Sequence, residues 1–336
     1  MSTSVAIRSL ARLFKAPVHL STFLLSALVP MLLAPPVYAQ SIYTQSSLPA
    51  EASIRIPQYQ RMLEVGERTG LPASKLGYIW ALLASSYQDA ANEDKAIDAY
   101  QHALHLLGTE PADRANYAAT LDNLGSLYLE YGRIEEAENA RKQVLVIRKQ
   151  LGDPIEIARS EQHVSETVLA LHRYKEAEQG ARTALETLGP TEAGPHPQAN
   201  AELASLITIS FAEGMQSKKK EDALRVAERA NRLATGTFPA GSLQQAHALM
   251  ALGFAQSKNR APAEAERNML EGIRLLRERA GNTNPVVTEA LFEYRGFLKD
   301  QQRNVDLEAL DRQLTGRMPI EQNPCPTCKV SVYALH

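Results

Sequence analysis

The chain has 336 residues, 44% of them hydrophobic and 6% aromatic, with a formal net charge of −2. That composition is too polar for a multi-span membrane protein, and its mildly acidic balance offers no basic stripe to a phosphate backbone, so nucleic acid is not an expected partner. The length suffices for one large core or several small ones.

In chain order, Arg8, Arg12 and Lys15 precede an apolar stretch from Val18 to Leu33, and Val37-Tyr38-Ala39 sets small residues where a signal peptidase cuts, before Gln40. Pro30, Pro35 and Pro36 interrupt the stretch, which favours a cleaved signal over the alternative, an uncleaved anchor. Residues 1–39 are thus expected to be a signal peptide cut after Ala39. The mature protein would then be exported, periplasmic or secreted in a bacterial envelope, with no membrane span left. Removing the three cations takes the net charge to about −5. Residues 40–55 read as a flexible linker, and 56–69 as a lone capping helix.

From there Pro111, Pro154, Pro197, Pro239 and Pro285 recur at spacings of 43, 43, 42 and 46 residues, most within short Gly- or Asn-containing stretches. Proline cannot continue a helix but suits the first turn of the next, so these mark joints between repeated units. Between joints the apolar residues recur at three and four, the period of an amphipathic helix. Each unit repeats an inner signature: Tyr131-Gly132-Arg133-Ile134-Glu135-Glu136-Ala137 is echoed by Leu171-His172-Arg173-Tyr174-Lys175-Glu176-Ala177 and by Arg260-Ala261-Pro262-Ala263-Glu264-Ala265. This is a tight turn between helices followed by an alanine (Ala96, Ala137, Ala177, Ala223, Ala265) that lets the second helix lie close on the first. Ala84, Gly125, Ser165 and Gly253 supply the small residue on the first helix. Units are expected to start near 77, 118, 158, 200, 246 and 288, within a repeat region of 56–315. The fourth carries extra residues around Gln216 to Lys220, and the sixth has Arg295 and Leu307 at the small positions.

Trp80, Leu83, Ala84, Tyr87, Ala96, Tyr100 and Ala103 fall on the spaced positions of a tetratricopeptide repeat. The period of about 42 residues and the run Leu121-Asp122-Asn123-Leu124-Gly125 resemble the kinesin-light-chain type of that family. The resemblance implies an all-α fold: an α-solenoid, a right-handed superhelix of about six helical hairpins with the first helix of each lining a concave face. It implies a non-catalytic scaffold for a protein or peptide partner. The concave positions it implies are Tyr78, Leu82, Ser85, Gln88 and Asp89 in unit one and Asp122, Asn123, Ser126 and Glu130 in unit two. Arg159, Gln162, His163 and Glu166 follow in unit three, then His247, Met250, Phe254 and Lys258 in unit five. Asn123 stands where such repeats grip the main chain of an extended peptide. The excess of carboxylates points to a segment carrying Lys or Arg, although the same charges also read as a water-wetted helix face.

No catalytic motif, phosphate loop or metal-ligand set is present in the sequence, so neither cofactor nor metal is expected. His102 and His105, three apart, read as solvated, as do His163 with Glu166 and the run Lys218 to Lys220. The tail, 316–336, holds the only two cysteines in Cys325-Pro326-Thr327-Cys328. A small disulfide is the favoured reading in an oxidising compartment, with metal capture or redox chemistry as alternatives. Two other functions therefore stand beside the scaffold: a structural or assembly subunit acting through the convex face and tail, and a redox or metal accessory acting through this cysteine pair.

Overall fold

A computed structural model describes residues 49–314 except 109–110, 192–193 and 283. The expected signal peptide, 1–39, and the Cys325/Cys328 tail lie outside the described residues. Thirteen α-helices and no strand are found among those described. They are α1 (Pro49–Thr69), α2 (Ala73–Asp89), α3 (Glu93–Leu107), α4 (Arg114–Glu130), α5 (Ile134–Leu151), α6 (Pro154–Ala170) and α7 (Tyr174–Leu188). Then come α8 (Ala199–Gly214), α9 (Lys220–Thr237), α10 (Leu243–Lys258), α11 (Pro262–Ala280), α12 (Pro285–Asp300) and α13 (Asn304–Leu314).

Six hairpins follow α1: α2/α3, α4/α5, α6/α7, α8/α9, α10/α11 and α12/α13. Their helices begin where the chain supplies caps. Asn92, Asp153, Ser242 and Asn284 each accept a hydrogen bond from a backbone N–H of the first turn that follows. Pro154, Pro262 and Pro285 open their helices, where a missing N–H costs nothing. The helices end in a shared turn. Ala91, Gly132, His172, Arg260 and Gln302 all take positive φ. The next residue then donates its N–H five residues back, Asn92 to Tyr87, Arg133 to Tyr128, Arg173 to Val168, Ala261 to Gln256 and Arg303 to Leu298. Only one of the five is glycine, so four turns hold a left-handed residue against its preference. The fourth hairpin instead has a longer connection, 215–219, which carries the extra residues anticipated from the sequence.

Close crossing follows from small side chains. Ala96, Ala137, Ala177, Ala223 and Ala265 are all fully buried. At Gly253 a Cβ would lie 2.8 Å from the carbonyl oxygen of Ala265 and 2.7 Å from Met269 Cγ, so no larger residue fits without moving α11. In unit four Ser210 stands at the crossing and donates its hydroxyl to the Ala223 carbonyl. In unit six Arg295 replaces the small residue, and its guanidinium bonds Asp311 of α13.

Two elements differ from the sequence expectation. Helix α1 begins at Pro49 instead of 56 and carries Pro57 inside it. A proline interrupts the helical hydrogen-bond ladder, which is why the sequence places the start there. Fully buried Ala52 and an ion pair between Arg55 and Asp89 (2.6 Å) hold the earlier turns against the stack. Helix α8 is buried on every side from Ala201 to Gly214, packed by α6, α7, α9 and α10. A helix enclosed in this way has no polar stripe, so its sequence shows little of the amphipathic period.

Candidate partner-binding site

The expected concave residues fall into two groups. In units two and three most are enclosed by neighbours instead of facing water. Asp122 accepts from His163 Nδ1 at 2.9 Å and faces Arg148 at 3.3 Å. Arg148 also donates to Ser160 at 3.0 Å and pairs with Glu156 at 3.2 Å. Arg141, fully buried, donates to the His163 carbonyl (2.8 Å), Glu166 (3.0 Å), Thr167 (2.8 Å) and Ser126 (3.2 Å). Burial alone would raise the Asp122 carboxyl pKa, but His163, Arg148 and Arg141 outweigh it and hold the group well below the usual carboxylate range. Burial lowers the His163 pKa against the pull of Asp122, so the neutral ring donates its Nδ1–H to that carboxylate.

The wetted-face reading of His163, Glu166 and Asp122 is therefore corrected. Arg141 and Arg148 reach in from the second helix α5, a contact that spacing along α4 and α6 cannot reveal. The signal was on α5 itself. Both arginines continue the buried stripe of Ala137, Ala140 and Val144, and a cation on a core stripe demands buried acceptors.

In unit one, Tyr78 is exposed, Leu82 half-buried and Ser85 buried, while Asp89 is held by Arg55. Gln88 donates to Glu130 at 2.8 Å and accepts from Tyr100 at 3.2 Å. Burial, with Asp89 and Glu93 nearby, pushes the Glu130 pKa up to about 7 despite the Gln88 bond. Asn123 is 7% exposed and its Nδ2 has no hydrogen-bond partner; neither has the amide of buried Gln162. Arg159 bonds Glu156 on its own helix. His102, exposed, stacks on Trp80 at 4.8 Å, and Lys219 donates to Glu178 at 2.6 Å.

In the second group His247 and Met250 line a depression between α8, α10 and α12. Phe254 packs on Phe211 at 4.5 Å, and Lys258 lies over its ring and bonds Asp300 at 2.9 Å. Ile207, Phe211, Met250 and Val286 wall the depression, which encloses about 300 Å³ of empty space including its open mouth. His247, Glu289 and Glu293 are its polar groups. His247 Nε2 and Glu293 Oε2 are shut off from solvent without a partner, an arrangement that costs about 1–3 kcal/mol per group in general. Burial lowers the His247 pKa to about 4, and burial reinforced by Glu289 raises that of Glu293 well above the ordinary value.

Sequence reasoning missed the Glu289/Glu293 pair. Counted back from the crossing residue, Glu293 occupies in unit six the position of Asn123 in unit two, and Glu289 that of Tyr78 and His247. Extending that register past Arg295 would have found both.

Residues 76–150 match the family model described as tetratricopeptide repeat. The fold is similar to that of BtubC (BKLC) from P. vanneervenii, 17% identical over 69% of this chain and 91% of that one, with a TM-score of 0.52. It is also similar to a Rap protein crystallised with Competence and Sporulation Factor, 13% identical over 80% of this chain and 76% of that one, TM-score 0.50. A Podosopora anserina kinesin light chain with nearly identical TPR-like repeats matches at 17% identity over 61% of this chain and 97% of that one, TM-score 0.48. No curated protein matches the sequence. The fold is an all-α solenoid of helical hairpins, and residues 76–150 within it match the tetratricopeptide repeat.

Proposed function

We propose that the protein is a non-catalytic scaffold of the cell envelope that holds a protein or peptide partner against the first helices of its hairpins. The observation that carries the reading is the side-by-side packing of the first helices α6, α8, α10 and α12, with a depression lined by residues of α8, α10 and α12 beside them. The tetratricopeptide match over 76–150 and the Rap complex with a bound factor support the same use of the fold. Export rests on the signal-like residues 1–39, and no described helix is long and apolar enough to cross a membrane.

A photo-crosslinking amino acid at Tyr78 or Phe254, on first helices, should capture an envelope protein. The same group at Val146 or Val305, on second helices, should not. A specific observation favours a second reading, assembly through the opposite face: Val146, Leu151, Leu270 and Val305 are exposed apolar residues, all on second helices. Capture from Val146 and Val305 alone would establish that reading and overturn the first.

A further inference from the structure

We infer that the depression between α8, α10 and α12 is a socket for an alkylammonium group, the side chain of a lysine on the bound segment. The inference rests on the scaffold reading for its source and on the socket's own chemistry for its ligand. His247 is 5% exposed and lines the empty space, and its Nε2 has no partner. Glu293 Oε2 is likewise unpartnered and closed to solvent. These two groups come from different helices, so the vacancy they share is built by the packing of units five and six.

Charge selects the ligand. Glu289 and Glu293 stand four residues apart on one helix face, where like charges repel, and no lysine or arginine lines the depression. α8 and α11 contribute only apolar side chains to its wall, so His247 is the one other titratable group facing the pair. Its depressed pKa keeps the ring neutral, and the imidazole can accept an N–H without adding positive charge. A cation entering the socket meets acceptors on both sides and no competing cation.

Size and wall chemistry narrow the choice further. The enclosed space is about that of one water molecule, closer to a compact ammonium than to the broader planar guanidinium. Ile207, Phe211, Met250 and Val286 offer apolar surface to a methylene stem. Among the described residues no three His, Cys, Asp or Glu side chains converge as metal ligands, which sets a metal ion behind an amine. Burial raises the Glu293 pKa, and a bound ammonium favours the carboxylate, so binding should draw a proton from this group and affinity should rise with pH.

The test titrates the purified protein with a blocked Gly-Ala-Lys-Ala-Gly peptide, its Arg and norleucine counterparts, and free cadaverine, read by calorimetry in two buffers of different ionisation heat. The lysine peptide should bind at least about tenfold more tightly than either counterpart, with proton release. Glu293→Gln should cost about tenfold or more while the fold, followed by circular dichroism, is retained. His247→Phe, which keeps an aromatic ring but offers no acceptor, should weaken lysine binding and leave norleucine binding unchanged. Equal binding of lysine and norleucine peptides would overturn the inference, since the site would then be merely apolar. Absence of binding by every amine would overturn it as well, leaving a water in the socket. Cadaverine binding more tightly than the peptide would assign the socket to free amines and overturn lysine as its source. Failure of the crosslinking experiment would remove the scaffold reading without affecting these titrations.

Discussion

Units two and three join buried Arg141, Arg148, Asp122, His163 and Glu166 in a network in which each charge meets a counterpart, although Asn123 Nδ2 and the Gln162 amide meet none. Units four to six bury His247 and Glu293, whose Nε2 and Oε2 atoms find none. Both regions are built of helical hairpins, with a buried crossing alanine in units two to five. What differs is where the compensating charge originates. In the first region α5 supplies it from within the fold. In the second no lysine or arginine lines the depression, which leaves a place for an incoming cation. A repeat architecture tolerates this contrast because each unit contacts mainly its neighbours, and a costly arrangement in one stays local.

The largest expected effect sits in the matched region. Arg141→Ala should lower stability by about 3–5 kcal/mol, measured by urea unfolding, because Glu166 and the His163 carbonyl lose a buried cation. Replacing Arg141 by Met and Glu166 by Leu together should recover most of that loss. If the single change costs under about 1 kcal/mol, water reaches the network and it is not a sealed interior.

His247 sharpens the other side. Its folded pKa lies near 4, below an unfolded value of about 6.5, so its contribution is fully present above pH 6.5 and is lost as pH falls towards 4. His247→Gln should therefore stabilise the protein relative to wild type at pH 5, by about 1–3 kcal/mol, with the gap closing above pH 7. A gap that does not change with pH would show an imidazole open to solvent. A change of about the same size is expected at Asp122, with the folded pKa again below the unfolded one. Asp122→Asn should cost about 1–3 kcal/mol at pH 7, and that cost should shrink as acid protonates Asp122 well below pH 4. The smallest effect is a control common to both regions. Gln302→Gly, at a positive-φ turn, should add about 0.5–1 kcal/mol, and no loss of ligand binding should accompany it.

Much of the fold was legible because hairpin packing is written locally. A proline at a joint, a small residue on each helix and apolar residues at three and four are all short-range signals, and they carry the six hairpins from Ala73 to Leu314. The start of α1 was not legible, since Pro57 looks like a boundary and the contacts that override it, such as Arg55 with Asp89, are far apart in sequence. The site was legible only as a register. That register reached His247 and Met250, which do line the depression, but it stopped at Arg295 and so passed over Glu289 and Glu293. It also included Asp122, His163 and Glu166 without the arginines that occupy them, because those arginines lie on another helix.

The measurement that bears most directly on the contrast compares the urea midpoints of Asp122→Asn and Glu293→Gln with that of wild type at pH 7. Asp122 has its folded pKa below the unfolded value, so its charge stabilises the fold there and its loss lowers the midpoint. Glu293 has its folded pKa above the unfolded value, so the carboxyl opposes folding once pH exceeds about 4.3. Removing it should raise the midpoint at pH 7, with the gain fading towards pH 4. Opposite signs for two carboxyl-to-amide changes are what a matched interior and an open socket predict. A lowered midpoint for Glu293→Gln at pH 7 would mean that the carboxylate is already compensated within the fold, and the distinction between the two regions would not hold.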